Sequence, residues 1–140
     1  MKIDGVTNGI VIDHIQAGKS MMIYELLGLD KLDCCVAIIQ NATSSKMGRK
    51  DIIKIDALLD IDYDVLGYVD SNITVNIVKD SKLDSKLHVE LPTELKNVIK
   101  CKNPRCITTV EQEIVQHFKL ASRDKKIYRC VYCDAEHKVK

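Results

Sequence analysis

Four of the six cysteines in this 140-residue chain fall into two close pairs. Cys101-Lys-Asn-Pro-Arg-Cys106 sets two thiols on either side of a tight turn. Cys130-Val-Tyr-Cys133 sets two more on a second turn, with 23 residues between the pairs. Zinc takes four soft thiolate ligands tetrahedrally at about 2.3 Å, and paired cysteines on two facing knuckles deliver that set. Four thiolates leave no position for a water or a substrate. The expected role is therefore structural, with one zinc per chain held by Cys101, Cys106, Cys130 and Cys133. The competing reading is a pair of disulfides or a set of buried free thiols. Disulfides need an oxidising compartment, and no apolar run of signal-peptide length follows Met1-Lys2-Ile3-Asp4. Cys34 and Cys35 open the apolar run that ends at Ile39 and read as small buried hydrophobes of a strand.

Other chemistry-bearing patterns are weaker. Ala17-Gly18-Lys19-Ser20 has the form of the end of a phosphate-binding loop, but Asp13 stands where the first glycine is required, so the match reads as a helix start. His88-Val89-Glu90 followed by Cys130 and Cys133 has the outline of a zinc deaminase. Arg129 replaces the proline expected before the first cysteine, and Cys101 and Cys106 are left unexplained. His117 and His137 read as ordinary surface histidines beside a site already filled by cysteines, and no nucleophile with a base is discernible. In Met47-Gly48-Arg49-Lys50-Asp51-Ile52-Ile53-Lys54-Ile55, alternation puts Lys50, Ile52 and Lys54 on one face of a strand. Two ammonium groups about 13 Å apart on that face can bracket a nucleotide. The bland alternative is the solvated face of an edge strand.

The elements that must position these residues are legible in outline. Residues 10–15 read as a strand after the Asn8-Gly9 turn, and residues 21–27 as a helix behind Ser20, stopped by Gly28. Cys34–Ile39 reads as a central strand, 41–45 as a loop, and 51–55 as a third strand. A second helix is expected over 60–68 and a fourth strand over 73–78, with 83–91 returning as its hairpin partner. The order β-α-β-β-α-β plus an extra strand gives an α+β, ferredoxin-like domain with both helices on one face of an antiparallel sheet. Pro92 ends it, and a small C-terminal zinc-bound antiparallel β domain follows, so the expected domains are 1–94 and 95–140. The charge agrees with two parts. Residues 1–94 carry 10 Lys+Arg against 15 Asp+Glu, a balance of −5, whereas 95–140 carry 11 against 5, a balance of +6. Zinc with four thiolates removes about two of those positive charges. About 45 residues are too few for a self-sufficient core, so the metal must make up the deficit. No apolar stretch reaches the roughly 18 residues of a membrane helix, and a cytoplasmic protein without a membrane partner is expected.

Val11-Ile12-Asp13-His14-Ile15, Met47-Gly48-Arg49-Lys50-Asp51, Lys54-Ile55, Thr74-Val75-Asn76 and the last four cysteines stand in an order that resembles the regulatory chain of aspartate carbamoyltransferase. The resemblance covers nearly the whole chain. It implies a non-catalytic, allosteric subunit of pyrimidine biosynthesis whose first domain binds ATP, CTP and UTP and pairs into a homodimer of regulatory chains. Its zinc domain is expected to dock on the separate catalytic chain. By position, the resemblance gives Asp13 and Lys54 to the ribose and base, His14 and Lys86 to the phosphates, and Asn76 to the lining. Ile3, Asp4, Val6, Val11, Ile52, Val78 and Leu83 form walls and backbone contacts. Ser81 stands where the family can have a bulky aromatic side chain. The rival function is a zinc-ribbon module on nucleic acid, suggested by Arg105, Lys119, Arg123, Lys125, Lys126 and Arg129 with Phe118, Tyr128 and Tyr132. The regulatory chain is expected to bind no nucleic acid.

Overall fold

β-Branched residues at alternate positions make residues 9–16 a strand with one face for a core, and Ile10, Ile12 and Ile15 are all buried there. In the computed structural model, which describes residues 6–111 and 113–138, this strand lies at the centre of a five-stranded antiparallel sheet. The strands are β1 (Gly9–Gln16), β2 (Val36–Ser44), β3 (Gly48–Ile55), β4 (Thr74–Lys79) and β5 (Lys82–His88), in the order β2-β3-β1-β4-β5. The first four strands with their two helices form the ferredoxin-like arrangement, and β5 adds an edge through the two-residue turn Asp80-Ser81, both residues at positive φ.

Both helices cover one face. α1 (Ser20–Leu26) ends at Gly28 in the left-handed conformation that glycine adopts without strain. α2 (Tyr63–Val69) is capped by the Asp62 carboxylate, which accepts from the Asp64 amide at 3.0 Å. Ile23 of α1 and Val69 and Leu66 of α2 pack on Ile10, Ile12, Ile15, Ile53, Ile55 and Val75 in the principal core. Lys19 Nζ donates to the Val69 carbonyl at 3.1 Å and ties the start of one helix to the end of the other. The opposite face holds a smaller cluster of Val6, Val11, Ile52 and Val78, with Ile39 and Ala42 packed against it.

Four expectations change. Residues 41–45 do not form a loop: β2 runs on to Ser44 because Asn41, at positive φ, absorbs a bulge and the ladder with β3 resumes at Ala42 and Lys50. Consequently β2 is an edge strand and β3 an internal one, the reverse of what the two apolar runs suggested. Cys34 and Cys35 precede β2, with Cys34 half-buried against the core and Cys35 exposed. The second helix starts at Tyr63 rather than residue 60, since Asp62 takes the cap.

The chain divides into two compact units between Glu90 and Leu91. The second unit carries a four-stranded antiparallel sheet, β6 (Glu94–Lys96), β7 (His117–Ser122), β8 (Ile127–Cys130) and β9 (Glu136–Lys138), in sequential order, with a single helical turn, α3 (Ile107–Val110). A boundary after residue 94 would cut through β6, so the second unit begins earlier than the charge balance suggested. Its apolar core is small: Leu91, Leu95, Phe118 and Tyr128, with the Tyr128 hydroxyl donating to the Pro92 carbonyl.

Gly9 starts β1 where no side chain fits, because an added Cβ would run into the Ile55 carbonyl oxygen and the Val6 side chain. Gly9→Ala is expected to lower stability by about 2 kcal/mol through overpacking. Gly18→Ala meets open space and only the strain of its positive φ, about 1 kcal/mol. Urea midpoints of the two variants check this ranking, and equal midpoints would contradict it.

Candidate functional site

Two clusters of chemistry-bearing side chains emerge, one in each unit. In the second unit, the loop from Cys101 to Cys106 and the turn from Cys130 to Cys133 bring four sulfurs within 4.8 Å of one another. The Cys101 and Cys133 Sγ atoms are 3.5 Å apart and those of Cys106 and Cys130 3.7 Å, far beyond a disulfide bond, and all four cysteines are free. A tetrahedron with 2.3 Å bonds to sulfur has edges of about 3.8 Å, so the donor set fits a closed zinc-type site. Neighbouring groups hold the ligands in place. Thr108, itself buried, sets its hydroxyl 3.1 Å from Cys106 Sγ, and Gln116 Oε1 accepts from the Cys101 amide at 3.0 Å. Burial pushes the Cys101 thiol up to about 12, whereas the Thr108 hydroxyl and amide draw Cys106 down to about 6 against the effect of burial. A bound divalent cation overrides both and keeps every ligand a thiolate.

In the first unit the polar cluster lies on the sheet face away from the helices. The register aligns Lys54 of β3, Val11 of β1, Asn76 of β4 and Lys86 of β5 in one row across four strands. Ile52 and Val78 sit beside Val11 as an apolar floor, with Val6 at its margin. Lys50 is 6% exposed, and its ammonium meets Asp13 Oδ1 at 3.0 Å. His14 Nδ1 lies 2.8 Å from the Thr74 hydroxyl. Leu83 is half exposed near the hairpin tip, paired with Val78. Ile3 and Asp4 fall outside the described residues.

Bulges build this face. A regular strand would turn Asp13 and His14 to opposite sides, but between the Ile12–Ile53 and Ile15–Asp51 pairs both residues stand opposite Ile52 alone. His14 takes the left-handed conformation, φ 58°, and its amide donates to Asp13 Oδ1 at 2.6 Å. The strand thus spends one extra residue on the polar face and returns Ile15 to the core. On β5, Asp84 is the extra residue, which lets Leu83 and Lys86, three apart, share the face of their partners Val78 and Asn76. The signal was present in the sequence as Ile10, Ile12 and Ile15, where the spacing changes from two to three.

The lysines give this face a positive field. Burial lowers the pKa of His14, and the fields of Lys50, Lys86 and Lys46 lower it further against the pull of Asp13. Burial works to raise the Asp13 carboxyl, yet the Lys50 ammonium and the His14 amide outweigh it and hold the group below the usual carboxylate range. Asp13 and Lys50 are therefore a preformed ion pair.

The other patterns resolve into structure. The Gly18 and Ser20 amides, which a phosphate-binding loop would offer to its ligand, donate to the Asp51 carboxylate. His88 and Glu90 belong to the first unit and stand outside the cysteine cluster. His117 pairs with Glu94 at 3.4 Å, and His137 packs edge-on against Phe118. Lys50 and Lys54 lie on an internal strand, which removes the edge-strand reading. Thr74 and Thr108 are the contributors that sequence reasoning missed, since a threonine in a strand or after a cysteine carries no signal of its own.

A family model described as the allosteric domain of the aspartate carbamoyltransferase regulatory chain matches residues 1–90, and one for the metal binding domain of the same regulatory chain matches residues 93–140. An aspartate carbamoyltransferase regulatory chain of Clostridium botulinum is 50% identical over 134 residues, which covers 96% of this chain and 92% of that one. The chain of the same description from Clostridium acetobutylicum is 49% identical over 138 residues, 99% of this chain and 94% of its own length. That of Bifidobacterium longum is 45% identical over 139 residues, 99% and 100% respectively.

Metal analysis of freshly purified protein is expected to find one zinc per chain. Structural zinc in such modules supplies on the order of 10 kcal/mol of apparent folding free energy. Chelation is therefore expected to unfold residues 91–140 while amide signals of the five-stranded sheet persist. Loss of both sets of signals together, or of neither, would contradict a metal that stabilises the second unit alone.

Proposed function

This chain belongs to the family of aspartate carbamoyltransferase regulatory chains, the non-catalytic subunits of that enzyme, and on this premise we propose that its open sheet face binds nucleoside triphosphates. CTP, UTP and ATP are the effectors, and the cysteine unit, with zinc bound, passes their influence to a catalytic chain of pyrimidine biosynthesis in the cytoplasm.

The observation that carries this reading is the row Lys54, Val11, Asn76 and Lys86 beside the Asp13–Lys50 pair. A triphosphate needs cationic and neutral hydrogen-bond donors, and the Lys86 ammonium with the His14 imidazole supplies them at one end. A base and ribose need acceptors, amide groups and a flat apolar floor. Asp13, Lys54 and Asn76 over Val11, Ile52 and Val78 meet that need, with Leu83 at the hairpin side.

Nucleic acid is the less favoured partner because two of the arginines that suggested it are engaged at home. Arg129 meets Glu136 at 2.7 Å and Asp134 at 3.7 Å, and Arg123 donates to the Leu91 carbonyl at 2.9 Å. Among the described residues no helix is long and apolar enough to cross a membrane.

Lys86→Ala removes one charge-assisted contact to a phosphate, worth about 1.5–3 kcal/mol, and is expected to weaken CTP binding by about one to two decades. Assembly with the catalytic chain is expected to be unchanged. Equilibrium titration of CTP against both proteins checks this, and wild-type affinity in the variant removes Lys86 from the site.

The sheet edges support a homodimer. β5 is guarded by Lys82, Asp84 and Lys86, whereas β2, VAIIQNATS, carries no charge along nine residues. Pairing of two β2 edges removes an open ladder from each copy. Sedimentation of the zinc-loaded chain at micromolar concentration is expected to report a dimer, and a monomer there contradicts the pairing.

A further inference from the structure

Asp51 is fully buried and lies next to Lys50 on β3, so the two side chains leave the sheet on opposite faces. Lys50 meets Asp13 on the open face, while Asp51 points to the helical side. There its carboxylate accepts from the amides of Gly18 at 3.0 Å, Ser20 at 3.3 Å and Asn41 at 3.0 Å. Burial alone would raise its pKa. The Ser20 hydroxyl and the amides of Asn41, Gly18 and Ser20 outweigh burial and keep the group ionised.

The three amides come from places with structural meaning. Gly18 and Ser20 lie in the turn that carries β1, just past its bulge, into α1. Asn41 lies within the bulge of β2. Asp51 therefore holds the two strands that flank β3: β2 at its bulge, and β1 through the chain that follows its last paired residue, Gln16. A bulge is where a strand can slip by one residue, and a slip of β1 would carry His14 from the open face to the helical one. Burial of Ile15 opposes that slip through the core, and Asp51 opposes it through its two hydrogen bonds to the Gly18 and Ser20 amides, while the third, to Asn41, holds β2.

We propose that Asp51 is the positioning residue of the open face: without touching a ligand, it locks the registers of β1 and β2 against β3 so that Asp13, His14 and Lys50 converge on one nucleotide. The inference rests on the reading of this face as the nucleotide site and adds to it the residue that sets its geometry from behind.

The test uses the full-length, zinc-loaded chain with CTP as the probe. Asp51→Asn keeps the size and one acceptor oxygen but turns an NH2 group toward amides that need an acceptor. It is expected to weaken CTP binding, measured by calorimetry, about tenfold, as charge-assisted contacts set out of register lose strength. The His14 ring, followed by NMR, is expected to titrate closer to an ordinary imidazole as it leaves the field of Lys50 and Lys86. Zinc content and the signals of the second unit are expected to stay as they are. A variant that binds CTP like the wild type, with His14 titrating as before, overturns the role of Asp51. Should Asp51→Asn fail to fold, hydrogen exchange of the wild-type chain decides: saturating CTP is expected to slow exchange of the Gly18, Ser20 and Asn41 amides severalfold, and unchanged rates overturn the proposal. A wild-type chain that binds no CTP overturns the nucleotide reading itself, an outcome distinct from one in which it binds and Asp51 proves indifferent.

Discussion

A β-strand can present two successive side chains on one face only where its ladder is broken, and that constraint shapes the first unit. Asp13 and His14 lie on the same side of the sheet because β1 carries a bulge between them and Ile15. The cost is a histidine at positive φ, on the order of 1 kcal/mol. It is offset by the hydrogen bond from the His14 amide to Asp13 and by the return of Ile15 to the core. Similar breaks in β2 and β5 widen the spacing of Ile39 and Ala42 and of Leu83 and Lys86 from two to three. The helical face stays continuous and apolar, while the other collects charge.

The two faces differ in how they treat ionic groups. On the helical side the Asp51 carboxylate is enclosed by backbone amides, an arrangement that meets its charge within the core. On the open side Lys50 and Asp13 neutralise one another at 3.0 Å, while Lys54 and Lys86 flank them in the adjoining row. A buried ion pair contributes little net stability, because desolvation consumes most of its attraction. Its retention on a face otherwise built for a ligand suits preorganisation better than stability.

The second unit follows a different logic. Leu95, Phe118, Tyr128 and Leu91 are too few to hold 50 residues together, so four sulfurs stand where further hydrophobes would be needed. The short strands around them also carry charge, and the register sets Glu94, Lys119, Arg129 and Glu136 in one row across the four-stranded sheet, the two basic residues inside and an acidic one at each edge. A small unit organised in this way presents a surface shaped by its metal ligands and their loops rather than by a core.

By itself the sequence determined the kinds of element and the metal chemistry. The cysteine spacing specifies a four-thiolate site because ligand type and knuckle length are local properties, and the strand-helix order specifies a ferredoxin-like sheet because hydrophobic period is local too. The alternation of Lys50, Ile52 and Lys54 was equally legible. Tertiary structure decided what depends on neighbours. Which strand is the edge and which is internal follows from pairing, and the apolar run at Cys34–Ile39 pointed the wrong way because a half-buried edge and a central strand share the same residue types. The bulges at His14, Asn41 and Asp84 were hidden because one extra residue changes no composition, only register. Asp51 read as one more polar residue in a strand. Its position beneath Lys50, with three amides from distant turns closing on it, arises only when β1, β2 and β3 lie side by side.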